Sequence, residues 1–269
     1  MVRELFIQAN YQLPADIEAC MRSAQQKEQS PQGKAALKGL VENIDASKRL
    51  NVPLCQDTGM AVVFLEVGQE VHITGGALRE AVDEGVRRAY HDGYLRCSVV
   101  ADPIRRGNTN DNTPAILYTE IVPGDQIHIL AAPKGFGSEN MSRSRMFTPA
   151  AGKEEILAFI AACVKEAASN PCPPVVVGVG IGGSFEYSAL LAKKALCRSI
   201  AAANADPYYA AMEKEALQLV NRTGVGPQGF GGTMTALAVN IEQYPTHIAG
   251  LPVAVNMGCH VTRHAAGTI

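Results

Sequence analysis

The stretch Pro171-Cys172-Pro173-Pro174-Val175-Val176-Val177-Gly178-Val179-Gly180-Ile181-Gly182-Gly183 decides the fold class. Its prolines stop any helix, because proline lacks the N–H and its ring clashes with the preceding turn. Val175 to Val179 then reads as an apolar strand running into Gly180–Gly183. Helices are expected to follow at about 185–197 and 207–221, and apolar strands at about 233–241 and 251–257. Before it, Ile156, Leu157, Ile160, Ala161 and Val164 recur at helical spacing.

Further upstream the pattern repeats. The first fifty residues read as helices, with Ile17, Cys20, Met21 and Ala24 on one face and Ala36, Leu37, Leu40, Val41 and Ile44 on another after Pro31. Met60 to Val67 reads as a buried strand. Leu78, Ala81, Val82, Val86 and Ala89 give a helix face ending near Gly93. Ala115–Val122 and Gln126–Leu130 flank Pro123-Gly124-Asp125, the signature of a hairpin. Alternating helices and strands make the fold α/β with a mixed sheet. No repeat or linker marks a boundary, so residues 1–269 are read as one domain with a helical segment over about 1–50, a two-lobed arrangement remaining open.

Composition narrows the function. Of 269 residues 47% are hydrophobic and 19% charged, with a formal net charge of −2. That balance excludes a nucleic-acid binder working by phosphate neutralisation, which needs a basic stripe. No stretch reaches the ~20 apolar residues of a membrane span, and no signal pattern opens the chain, so the expected location is the cytoplasm. Seven scattered cysteines in a chain this long are expected as free thiols, any special ones acting as metal ligands or nucleophiles.

Two stretches match the G-x-G-x-x-G dinucleotide fingerprint. Gly224-x-Gly226-x-x-Gly229 follows a helix and precedes a strand, the wrong order. Gly178-x-Gly180-x-x-Gly183 has the right order but a short strand, and Asp206, near the distance of a ribose-binding acid, lies in a turn. Close helix–strand packing is the plainer reading of these glycines, and a non-catalytic nucleotide-binding module is the rival one.

Among the cysteines, Cys20, Cys163 and Cys197 fall on or near helices as packed thiols, and Cys97 reads as structural. Cys55, Cys172 and Cys259 each stand in a Gly- or Pro-rich loop at a strand end, where α/β proteins build sites. Three thiolates can hold three irons of a [4Fe–4S] cluster, leaving the fourth iron open as a Lewis acid. Zinc suits the spacing less, since its ligands usually come in close pairs.

Cys55-Gln56-Asp57-Thr58-Gly59, Lys134-Gly135-Phe136-Gly137-Ser138-Glu139-Asn140-Met141-Ser142, Cys172-Pro173-Pro174, Gly224-Val225-Gly226-Pro227-Gln228-Gly229, Tyr244-Pro245-Thr246-His247 and Asn256-Met257-Gly258-Cys259-His260 together resemble class I, iron–sulfur-dependent fumarate hydratases. The resemblance runs from about residue 50 to the end. That family occurs as one long chain or as two subunits, and this sequence is similar to the α subunit.

The resemblance implies a role for each matching position. Cys55, Cys172 and Cys259 match cluster ligands, and Gln56 and Asp57 match a substrate-contacting pair with Asp57 the catalytic acid. Arg96 matches an arginine gripping a substrate carboxylate, for which a bidentate guanidinium is suited; Arg106 is its rival. The segment 135–145 matches a substrate-lining loop, implicating Gly135, Phe136, Gly137, Asn140, Met141, Ser142 and Arg143, and His247 matches a site histidine. Relatives often carry glycine where Phe136 stands. The base that takes the C3 proton belongs to the other half, so a β subunit is the implied partner, in a hetero-oligomer or a dimer of αβ units. The implied reaction interconverts fumarate and (S)-malate. The related tartrate dehydratase α subunit is the alternative, and Gly137–Ser142 tilts the reading toward fumarate.

Overall fold

A computed structural model describes all residues, 1–269. Three helices open the chain: α1 (Val2–Tyr11), α2 (Ala15–Lys27) and α3 (Pro31–Leu50). They are followed by β1 (Met60–Gly68), α4 (Leu78–Asp92), β2 (Ile116–Val122), β3 (Ile127–Lys134), α5 (Phe136–Glu139) and β4 (Arg143–Phe147). Then come α6 (Lys153–Ala167), β5 (Val175–Gly183), α7 (Phe185–Ala195), α8 (Pro207–Asn221), β6 (Ala236–Thr246), β7 (Leu251–Met257) and β8 (Ala265–Thr268). The class is α/β, and both of its sheets mix parallel with antiparallel pairs. No helix is long and apolar enough to cross a membrane.

The chain divides into two units. The first comprises Met1–Pro14, Asn43–Phe136 and Arg263–Ile269 and holds the sheet β2-β1-β3-β8. Alternate residues of β1 (Ala61, Val63, Leu65, Val67) share a core with Leu5, Phe6 and Ala9 of α1 and Val82, Val86, Ala89 and Tyr90 of α4. This is the period-2 pattern of a strand with one face against helices.

The expected hairpin does not form. β2 runs parallel to β1 and β3 antiparallel to it, so β1 lies between the two strands that flank Pro123-Gly124-Asp125. That turn crosses the end of β1, where the Gly68 N–H donates to the Gln126 carbonyl (2.8 Å) and the Glu70 N–H to the Gly124 carbonyl (2.9 Å). A run as apolar as Ala61–Leu65 is more stable inside the sheet than at its edge, and this overrides the local turn signal.

The second unit comprises Ala15–Glu42 and Gly137–Thr262, with the sheet β4-β7-β5-β6. Along β5, Val175, Val177, Val179 and Ile181 enter a core with Ile160 and Val164 of α6 and Met212 and Ala216 of α8. The intervening glycines carry α7 on the opposite face. A Cβ on Gly178 would lie 2.1 Å from the Ala192 carbonyl oxygen, and one on Gly180 would lie 2.0 Å from that of Ser188. The Val-Gly-Val-Gly alternation therefore builds helices on both faces of the sheet, with the glycines serving close helix–strand packing. Asp206 is the N-cap of α8, its Oδ1 accepting from the Tyr208 N–H at 2.8 Å ahead of Pro207.

Candidate functional site

In the first unit the Cys55–Gly59 loop leads into β1. The register places this loop beside the segment that leaves β3, since Met60 pairs with Lys134. Asp57 is fixed on both carboxylate oxygens: Oδ1 accepts from the Gly59 N–H (3.0 Å) and Oδ2 from the Phe136 N–H (3.1 Å). A Cβ on Gly135 would sit 3.0 Å from Oδ2, so glycine there leaves the carboxylate its room.

Three successive main-chain carbonyls of the loop are each held by a side chain. The Asp57 carbonyl accepts from Arg263 Nη2. The Tyr90 hydroxyl lies 2.9 Å from the Thr58 carbonyl and 2.7 Å from that of Gly59, which also accepts from Asn112 Nδ2 (3.2 Å). Thr58 Oγ1 in turn accepts from the Arg96 N–H (2.9 Å), which sets Arg96 next to the loop. The exposed Arg96 guanidinium makes no bond to the rest of the chain, whereas Arg106 reaches only the nearby Pro103 carbonyl. Cys55 Sγ lies 3.3 Å from Gln56 Oε1.

In the second unit, β5 and β7 are antiparallel, so the loop before β5 and the loop after β7 meet at one end of the sheet. They carry Cys172 and Cys259. The Cys172 carbonyl receives the His260 N–H (3.2 Å) and His260 Nδ1 (3.0 Å). Gln228 holds the adjoining Pro173 carbonyl through its backbone N–H (2.8 Å) and Nε2 (2.6 Å). Thr262 closes the Cys259 turn, its Oγ1 accepting from the Cys259 N–H at 3.1 Å.

The Gly137–Arg143 loop is anchored at the same end of β7. Ser142 Oγ accepts from the Met257 N–H (3.1 Å) and from Asn256 Nδ2 (2.9 Å), and Glu139 bridges Asn256 (2.9 Å) to Lys193 (2.5 Å). Gly137 and Asn140 are exposed, while Met141 packs on the unit's core. Arg143 is engaged by the Asn140 and Ser142 carbonyls and by Glu166. His247 lies elsewhere: the register puts the β6–β7 turn at the opposite end of this sheet from Cys172 and Cys259. There its Nδ1 accepts from the Ala249 N–H.

None of the seven cysteines forms a disulfide. Burial raises the pKa of Cys20 and Cys97 and pushes the Cys163 thiol up to about 11. Cys172 is exposed, and Cys55 and Cys259 are half-buried. No three His, Cys, Asp or Glu side chains gather as ligands of a single ion. Sequence reasoning missed the supporting donors Tyr90, Asn112, Gln228, His260, Thr262 and Arg263. Gln228 and His260 stood inside quoted motifs, but nothing local told which carbonyl each would serve.

The model of one protein family, fumarate hydratase (Fumerase), matches residues 1–268. A Methanocaldococcus jannaschii protein, named provisionally as an L(+)-tartrate dehydratase α subunit, is 40% identical over 272 residues, covering 98% of this chain and 95% of the relative. The L(+)-tartrate dehydratase α subunit of Escherichia coli K12 is 32% identical over 263 residues, covering 96% and 85%. One from Shigella boydii matches at the same identity and coverage.

Proposed function

From its membership of the fumarate hydratase (Fumerase) family, which makes it a hydro-lyase subunit, we infer that this chain is the α subunit of an enzyme that adds water to, or removes it from, a four-carbon dicarboxylate. The names of its full-length relatives support the subunit reading. The observation that carries the site is the Asp57 loop, with its carboxylate oriented by two backbone N–H groups and its carbonyls clamped in succession. Such support fixes a reacting group within the narrow range that catalysis tolerates.

The residues suit an iron–sulfur cluster. Cys55, Cys172 and Cys259 form no disulfide, and their sulfurs are the soft donors that iron–sulfur clusters take. These three cysteines would hold a [4Fe–4S] cluster, which when bound supplies a Lewis-acidic iron for the substrate hydroxyl.

The chain's own groups then do three things. Arg96 grips one substrate carboxylate with its planar fork. Asp57 delivers a proton to the hydroxyl oxygen, so that the C–O bond breaks and water leaves. Gly135 keeps the space beside the Asp57 carboxylate free of a side chain. The C3 proton goes to a base on the β subunit, and its bonding pair becomes the new C=C bond.

Fumarate and (S)-malate are the first substrate pair, on the Gly137–Ser142 loop. L(+)-tartrate is the second reading, favoured by the names of the relatives. Anaerobic co-expression with the β subunit and assay on malate and L(+)-tartrate ranks them. Turnover of neither would sink the inference, as would rapid turnover by the α chain alone.

A further inference from the structure

Arg263 lies in the segment that enters β8, and β8 pairs with β3 from Ala265 opposite Ala131. That register brings it to the sheet end where β1 begins. The residue is only 5% exposed. Its Nη2 donates to the Asp57 carbonyl, while Nε and Nη1 are buried and have no hydrogen-bond partner. No carboxylate of the chain pairs with it. Burying a guanidinium is strongly unfavourable without a counter-charge, and one bond to a neutral carbonyl does not offset it. A residue needed only to hold that carbonyl could be neutral, as Tyr90 and Asn112 are for the next two. The charge therefore answers to something beyond the protein. The Tyr90 hydroxyl reports the same neighbourhood: burial raises its pKa, and the charges of Arg263 and Asp57 act on it in opposite directions.

We propose that Arg263 is a positioning residue for an anionic ligand: it ties down the Asp57 main chain and keeps an uncompensated positive charge beside the Cys55–Gly59 loop, where the negative charge of a bound dicarboxylate completes it. This rests on the hydro-lyase reading for the class of ligand. It adds a cation to the site beyond Arg96, acting through the loop and its field and not by direct contact. The charge is what matters, so lysine should substitute and an apolar side chain of similar length should not.

The test uses the αβ enzyme with Arg263→Met and Arg263→Lys, purified anaerobically. Iron content, thermal unfolding, and kcat and KM on malate and L(+)-tartrate are measured for each. We expect Arg263→Met to unfold at or above the wild-type temperature, since it removes a buried unpaired charge, with iron content unchanged. Its KM should rise about tenfold or more, with kcat falling as the Asp57 carbonyl loses its donor, and Arg263→Lys should keep both within about threefold. An unchanged KM in Arg263→Met overturns the proposal, as does loss of folding or of iron, either of which assigns Arg263 to structure or to the cluster. An equal KM rise in both variants also overturns it, because charge would then not be the active property. Unfolding with and without succinate, a non-reacting dicarboxylate, separates this from the substrate reading. Stabilisation of wild type and Arg263→Lys but not Arg263→Met upholds the proposal even if neither substrate turns over, and equal stabilisation of all three refutes it.

Discussion

His260 binds the carbonyl of Cys172 twice, through its backbone N–H at 3.2 Å and its Nδ1 at 3.0 Å. This tie joins the loop before β5 to the loop after β7 and holds two of the three candidate ligand cysteines on neighbouring turns. Cys172 itself has a left-handed backbone (φ 54°), a conformation that needs such over-determination in a non-glycine residue. Outer partners that orient ligands typically contribute about 10–100-fold in metal affinity. His260→Ala should therefore lose iron and sulfide on gel filtration after anaerobic reconstitution, with its far-UV circular dichroism unchanged. Full retention of iron would show that the tie is dispensable.

The seven thiols should separate into two classes. Cys55→Ser, Cys172→Ser and Cys259→Ser should each abolish the cluster. Cys163→Ser, at a site only 4% exposed, should instead lower stability by about 1–2 kcal/mol and leave iron content alone. With its thiol pushed up to about 11 by burial, Cys163 should also be alkylated by iodoacetamide far more slowly than Cys172 at pH 8, which peptide mass spectrometry reads directly. Iron near wild type in the Cys172→Ser protein would dismantle the three-ligand assignment.

Arg96 and Arg106 make opposite predictions. Arg96→Lys keeps the charge but loses the planar fork, and kcat/KM should fall about 10–100-fold with iron content intact. Arg106→Lys should stay within about twofold. The reverse ranking would move the carboxylate grip to the 101–107 loop.

Glu28, only 1% exposed near the end of α2, accepts from the backbone N–H groups of Gln29, Ser30, Thr233 and Met234. Burial pushes its carboxyl up, but these bonds outweigh burial and the pKa is lowered. A carboxylate with a depressed folded pKa adds stability above its unfolded value of about 4.3, and loses it as the pH falls from there toward the folded value. Glu28→Gln should cost about 2–3 kcal/mol at pH 7, since an amide presents donors where only acceptors fit. Urea midpoints measured from pH 7 to pH 3 should converge for the two proteins at the acid end. Parallel profiles would mean that Glu28 does not titrate in this way.

Much of the secondary structure was legible because it is written locally. The helix at 207–221 and the strand at 251–257 lie where apolar spacing puts them. The glycines of 178–183 show their packing role in their alternation with valine and isoleucine. β4 and β8 were missed, being five and four residues long with mixed composition, so that only pairing with β7 and β3 makes them strands. The hairpin failed for a different reason. A Pro-Gly-Asp turn specifies a reversal of direction, but not that the two strands leaving it must touch.

By itself the sequence determined the candidates for the chemistry: three cysteines in strand-end loops and an acid two positions after the first. These follow from residue type and short spacing, which are properties of a few neighbouring positions. Only the tertiary structure decided what supports them. Arg263 reaches the Asp57 carbonyl across 206 residues of chain, and His260 reaches Cys172 across 88. Such partners are chosen when sheet order is chosen, by which apolar strand is most stable in the middle. That choice sums burial over a whole unit, and no window of sequence contains it.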